Sequence, residues 1–156
     1  LLALPLATFG AAGTDSHQAD PAAIKALFSQ FNGAFNDHDA GRLAALFTAR
    51  ADFITLGATT VHGRAGIEQH MQRIFVGPGK ALHRAATLRN IHFLKPDTAV
   101  LYSDFETSGL PAPDGSVVAR LPGFYDWIVM KHQGRWRIAV WHEADLPRRL
   151  GPHRPR

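Results

Sequence analysis

The chain has 156 residues, no cysteine and a formal net charge of +4. A chain of this length without an internal repeat closes one hydrophobic core, so a single domain is expected. The lack of cysteine excludes a disulfide scaffold, a thiolate metal site and a cysteine nucleophile. The excess charge comes from the tail, which leaves a neutral body without a basic stripe for nucleic acid; the tail arginines are Arg148, Arg149, Arg154 and Arg156.

The two ends of the chain differ in composition from the body. Residues 1–13 (LLALPLATFGAAG) are an apolar run that ends in small residues, which is typical of the hydrophobic region and cleavage zone of a secretory signal. We interpret residues 1–19 as a signal-peptide remnant and linker and expect an exported protein, periplasmic or secreted; a simply apolar N-terminus is the alternative. No apolar run is long enough to span a bilayer, so no membrane association is expected. Residues 147–156 are expected to form a basic, disordered tail, which leaves 20–146 as the domain.

The first predicted element is a helix from Pro21 to Asn36. Asp20 supplies an N-cap, and Pro21 is a favourable first helical residue. Apolar residues follow at helical spacing: Ile24, Leu27, Phe28, Phe31 and Phe35. The phenylalanine stripe can line a ligand cavity, and core packing is its other interpretation.

Two further helices and one strand are predicted next. Asp39 is placed to cap a short helix whose apolar residues extend to Phe47. Residues 51–56 (ADFITL) then switch to the β-branched and aromatic residues of a strand. A third helix must end at Gly77, because Gly-Pro-Gly cannot continue a helix, and its apolar face is Ile67, Met71, Ile74 and Phe75.

The second half of the chain is predicted to be β-structure. Strands are expected at about 82–94 and 98–108, followed by a long hairpin, 121–145, around a Gln133-Gly134 turn. This order of helices and strands is that of an α+β fold. Both hairpin arms carry large apolar residues on both faces, so one face is expected to pack on the helices and the other on a second subunit or a second layer of the fold. The residues assigned to that outer face are Ile128, Met130, Trp136, Ile138 and Val140.

The element order and several segments resemble the nuclear transport factor 2-like superfamily and, within it, the SnoaL-like proteins and the SgcJ/EcaC group. The segments are IKALFSQFNGAFNDHD, ADFITLG, HGRAGIEQHM and WIVMKHQGRWRIAVWHEAD. A further segment, HRAATLRNIHFLKPDTAVLY, is similar to the association domain of calcium/calmodulin-dependent kinase. The resemblance implies a cone-shaped, curved antiparallel β-sheet that wraps around three helices from the N-terminal half, with a cavity between them. The superfamily includes isomerases, dehydratases, epoxide hydrolases, cyclases and assembly domains, so function must be argued from the site.

The length of the hairpin loop decides which side chains face that cavity. A three-residue loop pairs Lys131 with Arg135 and places Trp141 and Glu143 on the cavity side. A two-residue loop would place His142 there instead. The resemblance favours the first arrangement, because pocket residues of the kinase association domain and of the ketosteroid isomerases map onto the parity of Trp141 and Glu143.

Two carboxylates are candidates for acid/base catalysis. Desolvation by neighbouring aromatic residues would raise the pKa of Glu143 toward neutrality, and the alternative is a glutamate that is solvated or paired with an arginine. Asp126 would reach the position where the ketosteroid isomerases hold a protonated acid if the loop had four residues; an outward-facing or paired aspartate is the alternative. The strand at 53–57 lacks the catalytic carboxylate of those isomerases, so their chemistry is not expected. Asp52 is interpreted as a cap or hydrogen-bond anchor.

The expected ligand-binding residues are mostly aromatic. The set is Tyr125, Trp127, Trp141, Phe105, His83 and Phe31. His83 is included because it matches a histidine of the kinase association domain, and a structural histidine is the alternative. No metal is expected, since His62 and His70 lack the i, i+4 spacing of a helical zinc pair. No cofactor is expected either, because no GxGxxG motif follows a predicted strand.

These observations predict a homodimeric protein, paired through the outer sheet face, that binds a small apolar or aromatic molecule. Cofactor-independent acid/base catalysis of an isomerase, cyclase or hydrolase type is compatible with such a pocket. The alternatives are a non-catalytic homo-oligomeric assembly module and a protein that sequesters a ligand without reacting with it.

Overall fold

The structure, a computed structural model, describes residues 16–55, 57, 59–112 and 114–145. The predicted signal sequence (1–13) and basic tail (147–156) lie outside the described residues, so export stays a prediction. The predicted linker is helical from residue 16 onward. Across the described part of the chain, no helix has the length and apolar character needed to cross a bilayer.

Three helices lie in the first half of the chain: α1 (Ser16–Asn36), α2 (Ala40–Ala44) and α3 (Gly63–Val76). The predicted start of α1 is wrong, since Asp20 and Pro21 lie inside the helix. Pro21 is the sixth residue of α1, so the helix lacks the main-chain hydrogen bond that this position would otherwise donate. The apolar stripe of α1 is buried as predicted, at Ile24, Leu27, Phe28, Phe31 and Phe35.

The predicted cap and end of the next two helices are confirmed. The carboxylate of Asp39 accepts a hydrogen bond from the main-chain N–H of Arg42 at 2.9 Å and so caps α2. Helix α3 ends one residue before Gly77 and buries Ile67, Met71 and Phe75. Because α2 stops at Ala44, Phe47 belongs to the following strand rather than to the helix.

Six strands form one curved sheet in the order β2-β1-β8-β7-β4-β3, and β1 and β8 are its one parallel pair among the described residues. The strands are β1 (Phe47–Ile54), β2 (Thr60–His62), β3 (His83–Lys95), β4 (Thr98–Ser108), β7 (Leu121–His132) and β8 (Arg135–Asp145). A separate two-stranded ribbon, β5 (Leu110–Pro111) and β6 (Val117–Val118), lies in the segment between β4 and β7. The predicted α+β fold, with a curved, mainly antiparallel sheet and three helices, is confirmed.

The hairpin of β7 and β8 has a different turn from the one predicted. His132 pairs with Arg135 around a two-residue turn, in which Gln133 has φ 49° and Gly134 has φ 75°. Two positive φ values in succession are those of a type I′ turn, which matches the twist of the strands. The expected three-residue loop, with Lys131 opposite Arg135, is therefore wrong.

The shorter turn alone would exchange the inward and outward side chains of β8, and a β-bulge further along the strand exchanges them back. Ile128 pairs with Val140 but Val129 pairs with Ile138, so that Ala139 is an extra residue in β8. One extra residue exchanges the two faces of a strand. Trp141 and Glu143 consequently point to the inner face, as predicted, although the predicted turn was wrong.

The bulge also changes the outer face of the sheet. Trp136 and Ile138 lie before the bulge and point inward, where they are 6% and 0% exposed. Their assignment to the outer face is therefore wrong. Ile128 and Met130 do face outward and remain 37% and 44% exposed.

Candidate functional site

A cavity of about 260 Å³ lies between the inner face of the sheet, α3 and the end of α1. Its walls are mainly apolar and contain Phe35, Phe53, Met71, Ile74, Leu82, Leu110, Leu121 and Trp141. Its polar side chains are Thr55, His70, Arg84, Thr107 and Glu143. Ligand pockets commonly begin at ~300 Å³, and this cavity is slightly smaller, so only a small molecule would fit in it.

A buried ion pair forms part of the cavity wall. Arg84 donates from Nη2 to Oε1 of Glu143 at 2.7 Å and from Nη1 to Oε2 at 3.2 Å. Its Nε donates to the Thr107 hydroxyl at 3.1 Å. The side chains of the pair are only 5% and 8% exposed. A bidentate arginine–carboxylate pair of this kind has a fixed geometry, because both partners are planar and held at two points.

Aromatic rings hold the guanidinium of Arg84 in place. Its central carbon lies 4.4 Å from the ring centre of Phe35 and 4.3 Å from that of Phe105. Cation–π contacts of this type are strongest where water is excluded. The side chain of Arg84 is therefore fixed by Glu143, by the ring of Phe35 on α1 and by the ring of Phe105 on β4.

The structure favours the second of the two interpretations considered for Glu143. The side chain is buried and lines the cavity, as predicted, but a guanidinium compensates its charge. Desolvation thus does not act on an isolated carboxylate, and the alternative of a glutamate paired with an arginine is the one that the structure has. A paired Glu143 is suited to accept a hydrogen bond from a ligand rather than to donate a proton to it.

His83 does not lie in the cavity, and its predicted role there is wrong. Its side chain is exposed at the start of β3, whereas that of the next residue, Arg84, is buried. Successive side chains of a strand point to opposite faces, so the inward position belongs to the arginine. The sequence alone did not show whether His83 or Arg84 points inward, because that depends on the register of β3.

Asp126 also lies outside the cavity. It is flanked by Tyr125 and Trp127, which both point inward, so its own side chain is on the outer face and lies opposite His142. Partial burial raises the pKa of Asp126, and the charge of His142 opposes that shift. The predicted catalytic position of Asp126 is wrong, because a four-residue loop would have been needed to turn it inward.

Most of the predicted binding aromatics form a packed cluster behind the cavity. Tyr125, Trp127, Phe105 and Phe31 are at most 2% exposed and are not among the residues that line the cavity. Tyr125 stacks on Phe105 at 5.3 Å, and its hydroxyl donates to Asn32 at 2.9 Å. Burial raises the pKa of Tyr125, so its hydroxyl stays protonated.

Trp141 is the predicted aromatic residue that does line the cavity. Its ring stacks face to face on Phe53, with a centroid distance of 4.1 Å and an interplanar angle of 9°. Both residues line the cavity. Rings that are held in place by stacking offer an aromatic ligand apolar contact area with little loss of side-chain freedom.

His70 lines the cavity from α3 and was missed as a site residue. Its ring lies 5.8 Å from that of Phe53, and it forms no hydrogen bond within the described part of the chain. Burial lowers the pKa of His70, and the charge of Arg73 lowers it further. The sequence did hold a signal, because His70 follows Ile67 by three residues and so flanks the buried face of α3.

The lowered pKa of His70 predicts a pH-dependent stability. The unfolded chain takes up a proton on this histidine near pH ~6.5, more readily than the folded one, so stability is full above that pH and falls as the pH decreases. We expect His70→Gln to flatten the dependence of urea midpoint on pH between about 5 and 7. A dependence that the substitution leaves unchanged would contradict the assignment.

Asp52 and His62 form a pair that does not line the cavity. The carboxylate of Asp52 lies 2.7 Å from Nδ1 of the exposed His62, which fits the interpretation of Asp52 as a hydrogen-bond anchor. Within the described residues, no three histidine, aspartate or glutamate side chains are grouped as metal ligands would be.

The comparisons with known proteins identify the family of this chain. The SnoaL-like domain family matches residues 16–142, so the chain belongs to that family. No curated protein matches the chain significantly. The narrower assignment to the SgcJ/EcaC group stays a prediction.

Solved structures share the same cystatin-like or nuclear transport factor 2-like fold. A domain of unknown function from Nostoc punctiforme has 25% identity and a TM-score of 0.73, covering 86% of this chain and 80% of its own. The hexachlorocyclohexane dehydrochlorinase LinA-type3 from Novosphingobium barchaimii has 19% identity and a TM-score of 0.74, with coverages of 83% and 88%. A ketosteroid isomerase-like protein from Erwinia carotovora has 19% identity and a TM-score of 0.69, with coverages of 80% and 95%.

Proposed function

We propose that this protein binds a small, largely apolar or aromatic molecule in the cavity beside Arg84 and Glu143. The observation that carries the proposal is the combination of an apolar wall, built on Trp141 and Phe53, with a fixed polar pair at the same cavity. Ligand sites are commonly of this kind, with an apolar lining and a few polar groups that set the orientation of the ligand.

The polar pair defines which ligand group it would hold. The contacts to Glu143 and Thr107 use three of the five N–H groups of Arg84. Because the pair is close to neutral overall, it favours a neutral hydroxyl or carbonyl over a carboxylate. We therefore expect an uncharged, oxygen-bearing aromatic or alicyclic compound.

The same arrangement supports acid/base chemistry without a cofactor. The neutral imidazole of His70 is suited to accept a proton from a bound ligand, while the guanidinium of Arg84 is suited to stabilise negative charge on a ligand oxygen. The family and the fold of the LinA and ketosteroid isomerase-like structures agree with this class of protein. At 19% identity they do not indicate a substrate.

A binding screen with two matched variants tests the proposal. Ile74 lines the cavity from α3, whereas Val76 lies outside it and is 69% exposed. We expect Ile74→Trp to fill the cavity and to weaken the binding of small aromatic alcohols and ketones at least about tenfold in ligand-observed NMR. Val76→Trp adds the same ring to the same helix and is expected to leave binding unchanged. Binding that survives Ile74→Trp, or a complete lack of hits, would contradict the proposal.

A homodimer through the outer sheet face is the second candidate. Its support is a group of exposed apolar side chains that neighbouring strands place together, namely Tyr102, Ile128 and Met130. The central strands of a sheet rarely leave such residues to solvent.

The dimer proposal predicts a change in mass. Ile128→Asp combined with Met130→Asp is expected to convert a dimer into monomers in light scattering, because two charges would have to be buried in the interface. The control is Gln69→Asp combined with Gln72→Asp, which adds the same two charges at exposed positions of α3, away from the outer sheet face. A wild-type protein that is monomeric at all concentrations would contradict this proposal.

A further inference from the structure

A second depression, which we call the basic groove, lies near the turn between β7 and β8. It has a volume of about 740 Å³ and shares no lining residue with the apolar cavity. Five cationic side chains line it: Arg50, Arg64, Lys131, Arg135 and Arg137. Its remaining lining residues, all in the described part of the chain, include no aspartate or glutamate.

Main-chain carbonyl groups hold two of these arginines in the groove. Arg64 donates from Nε and Nη2 to the carbonyl oxygen of Phe47, at 3.1 and 2.6 Å. Arg137 donates from Nη1 to the carbonyl oxygen of Ala45. A carbonyl group orients a guanidinium but does not neutralise it. Both side chains are therefore positioned, and no carboxylate of the described residues forms an ion pair with either of them.

Arg50 and Arg135 likewise form no ion pair with any residue that the structure describes. The ion pairs formed within the described residues use Arg42, His62, Arg84, Arg89 and Arg120, none of which lines the groove. The charges of Arg64 and Arg135 lower the pKa of Arg137, after the larger effect of burial. These arginines are thus close enough to repel one another, and a bound anion would relieve that repulsion.

The backbone around the groove is shaped by an irregular strand. Phe47 pairs with Ile138 and Asp52 with Val140, so that four residues of β1 stand opposite a single residue of β8. The excess residues leave the regular ladder, and 48–50 form a wall of the groove. The irregular part of β1 therefore both shapes the groove and carries one of its arginines, Arg50.

We propose that the basic groove binds a small anion that carries two or more phosphate groups. Arginine forks match phosphate oxygens bidentately, and several forks in one depression suit several phosphate groups. Among the described residues that line the groove there is no phenylalanine, tyrosine or tryptophan, and His132 is the one aromatic ring on which a nucleic-acid base could stack. These features favour a compact polyphosphate over an extended nucleic acid. The inference does not depend on the function of the apolar cavity.

Calorimetric titration of the full chain with sodium tripolyphosphate, at about 50 mM NaCl, tests the proposal. We expect one binding event, weakened at least about tenfold in the double variant Arg50→Gln/Arg135→Gln. The side chains of these two residues make no hydrogen bond to another described residue, so their loss is not expected to unfold the protein. Circular dichroism verifies that the variant is folded. The control is Arg73→Gln/Arg89→Gln, which removes the same charge outside the groove and is expected to change affinity less than about twofold.

Three results would overturn the proposal. The first is a wild-type protein that does not bind tripolyphosphate. The second is an equal loss of affinity in both double variants, because binding would then follow net charge alone. The third is tight binding of a short single-stranded oligonucleotide together with the absence of tripolyphosphate binding, which would indicate a nucleic-acid surface.

Discussion

Glu143→Ala is expected to lower the free energy of unfolding by about 3–5 kcal/mol, as measured by urea denaturation. The substitution leaves the guanidinium of Arg84 buried without its carboxylate partner, at a site where that side chain is 5% exposed. Burying the guanidinium costs desolvation free energy, which the attraction to Glu143 offsets in the wild-type protein. Without that attraction the cost remains, and it is much larger than the loss of one ordinary contact.

Two further variants separate this effect from a general effect of losing glutamate. Glu106 is also paired with an arginine, Arg120, but both side chains are largely exposed. We expect Glu106→Ala to cost less than about 1 kcal/mol. The double variant Arg84→Met/Glu143→Leu is expected to regain most of the stability lost in Glu143→Ala, because it removes both charges and keeps the volume. A double variant that is less stable than Glu143→Ala would contradict the description of the pair as mutually compensated.

Gly109→Ala is expected to cost about 3 kcal/mol or more in the same assay. Gly109 has φ +82°, and a Cβ atom there would lie 1.8 Å from the carbonyl oxygen of Ala81. The contact is between backbone segments that flank two cavity residues, Leu82 and Leu110. The chain can accept a methyl group at position 109 only by moving one wall of the cavity.

Gly115→Ala is the matched control for this prediction. Gly115 has the same φ of +82°, but no atom of the described residues lies within 4 Å of the position of its Cβ atom. Its substitution therefore reports the backbone strain alone, at about 1 kcal/mol. Equal losses for the two alanine variants would show that the close approach at Ala81 contributes nothing.

The periodicity of the sequence was sufficient to predict the layers of the fold. Which side chains of β8 point inward, however, depends on the turn and the bulge, which the periodicity does not show. The apolar spacing of α1 and α3 and the alternation in β4 follow from local rules, so these elements were predicted well. The turn at Gln133-Gly134 and the bulge at Ala139 each change the parity of β8, and their effects cancel. Trp141 and Glu143 were therefore placed correctly from a wrong turn, whereas Trp136 and Ile138 were not.

The pairing in the polar half of the site could not be predicted, because the partners are distant in sequence. Arg84 and Glu143 are 59 residues apart, so Glu143 was predicted as a site residue while its arginine partner was not. The basic groove has the same origin. Arg50, Arg64 and Arg137 are scattered through a body whose charges balance, and only the fold brings them to one depression.

The most direct test of the central claim is a crystal structure of the protein with the tightest-binding aromatic alcohol or ketone. The account predicts electron density for the compound against the stacked rings of Phe53 and Trp141, with its oxygen within hydrogen-bond distance of Arg84 or Glu143. A compound bound only on the outer sheet face, or a cavity closed by its own side chains, would contradict it.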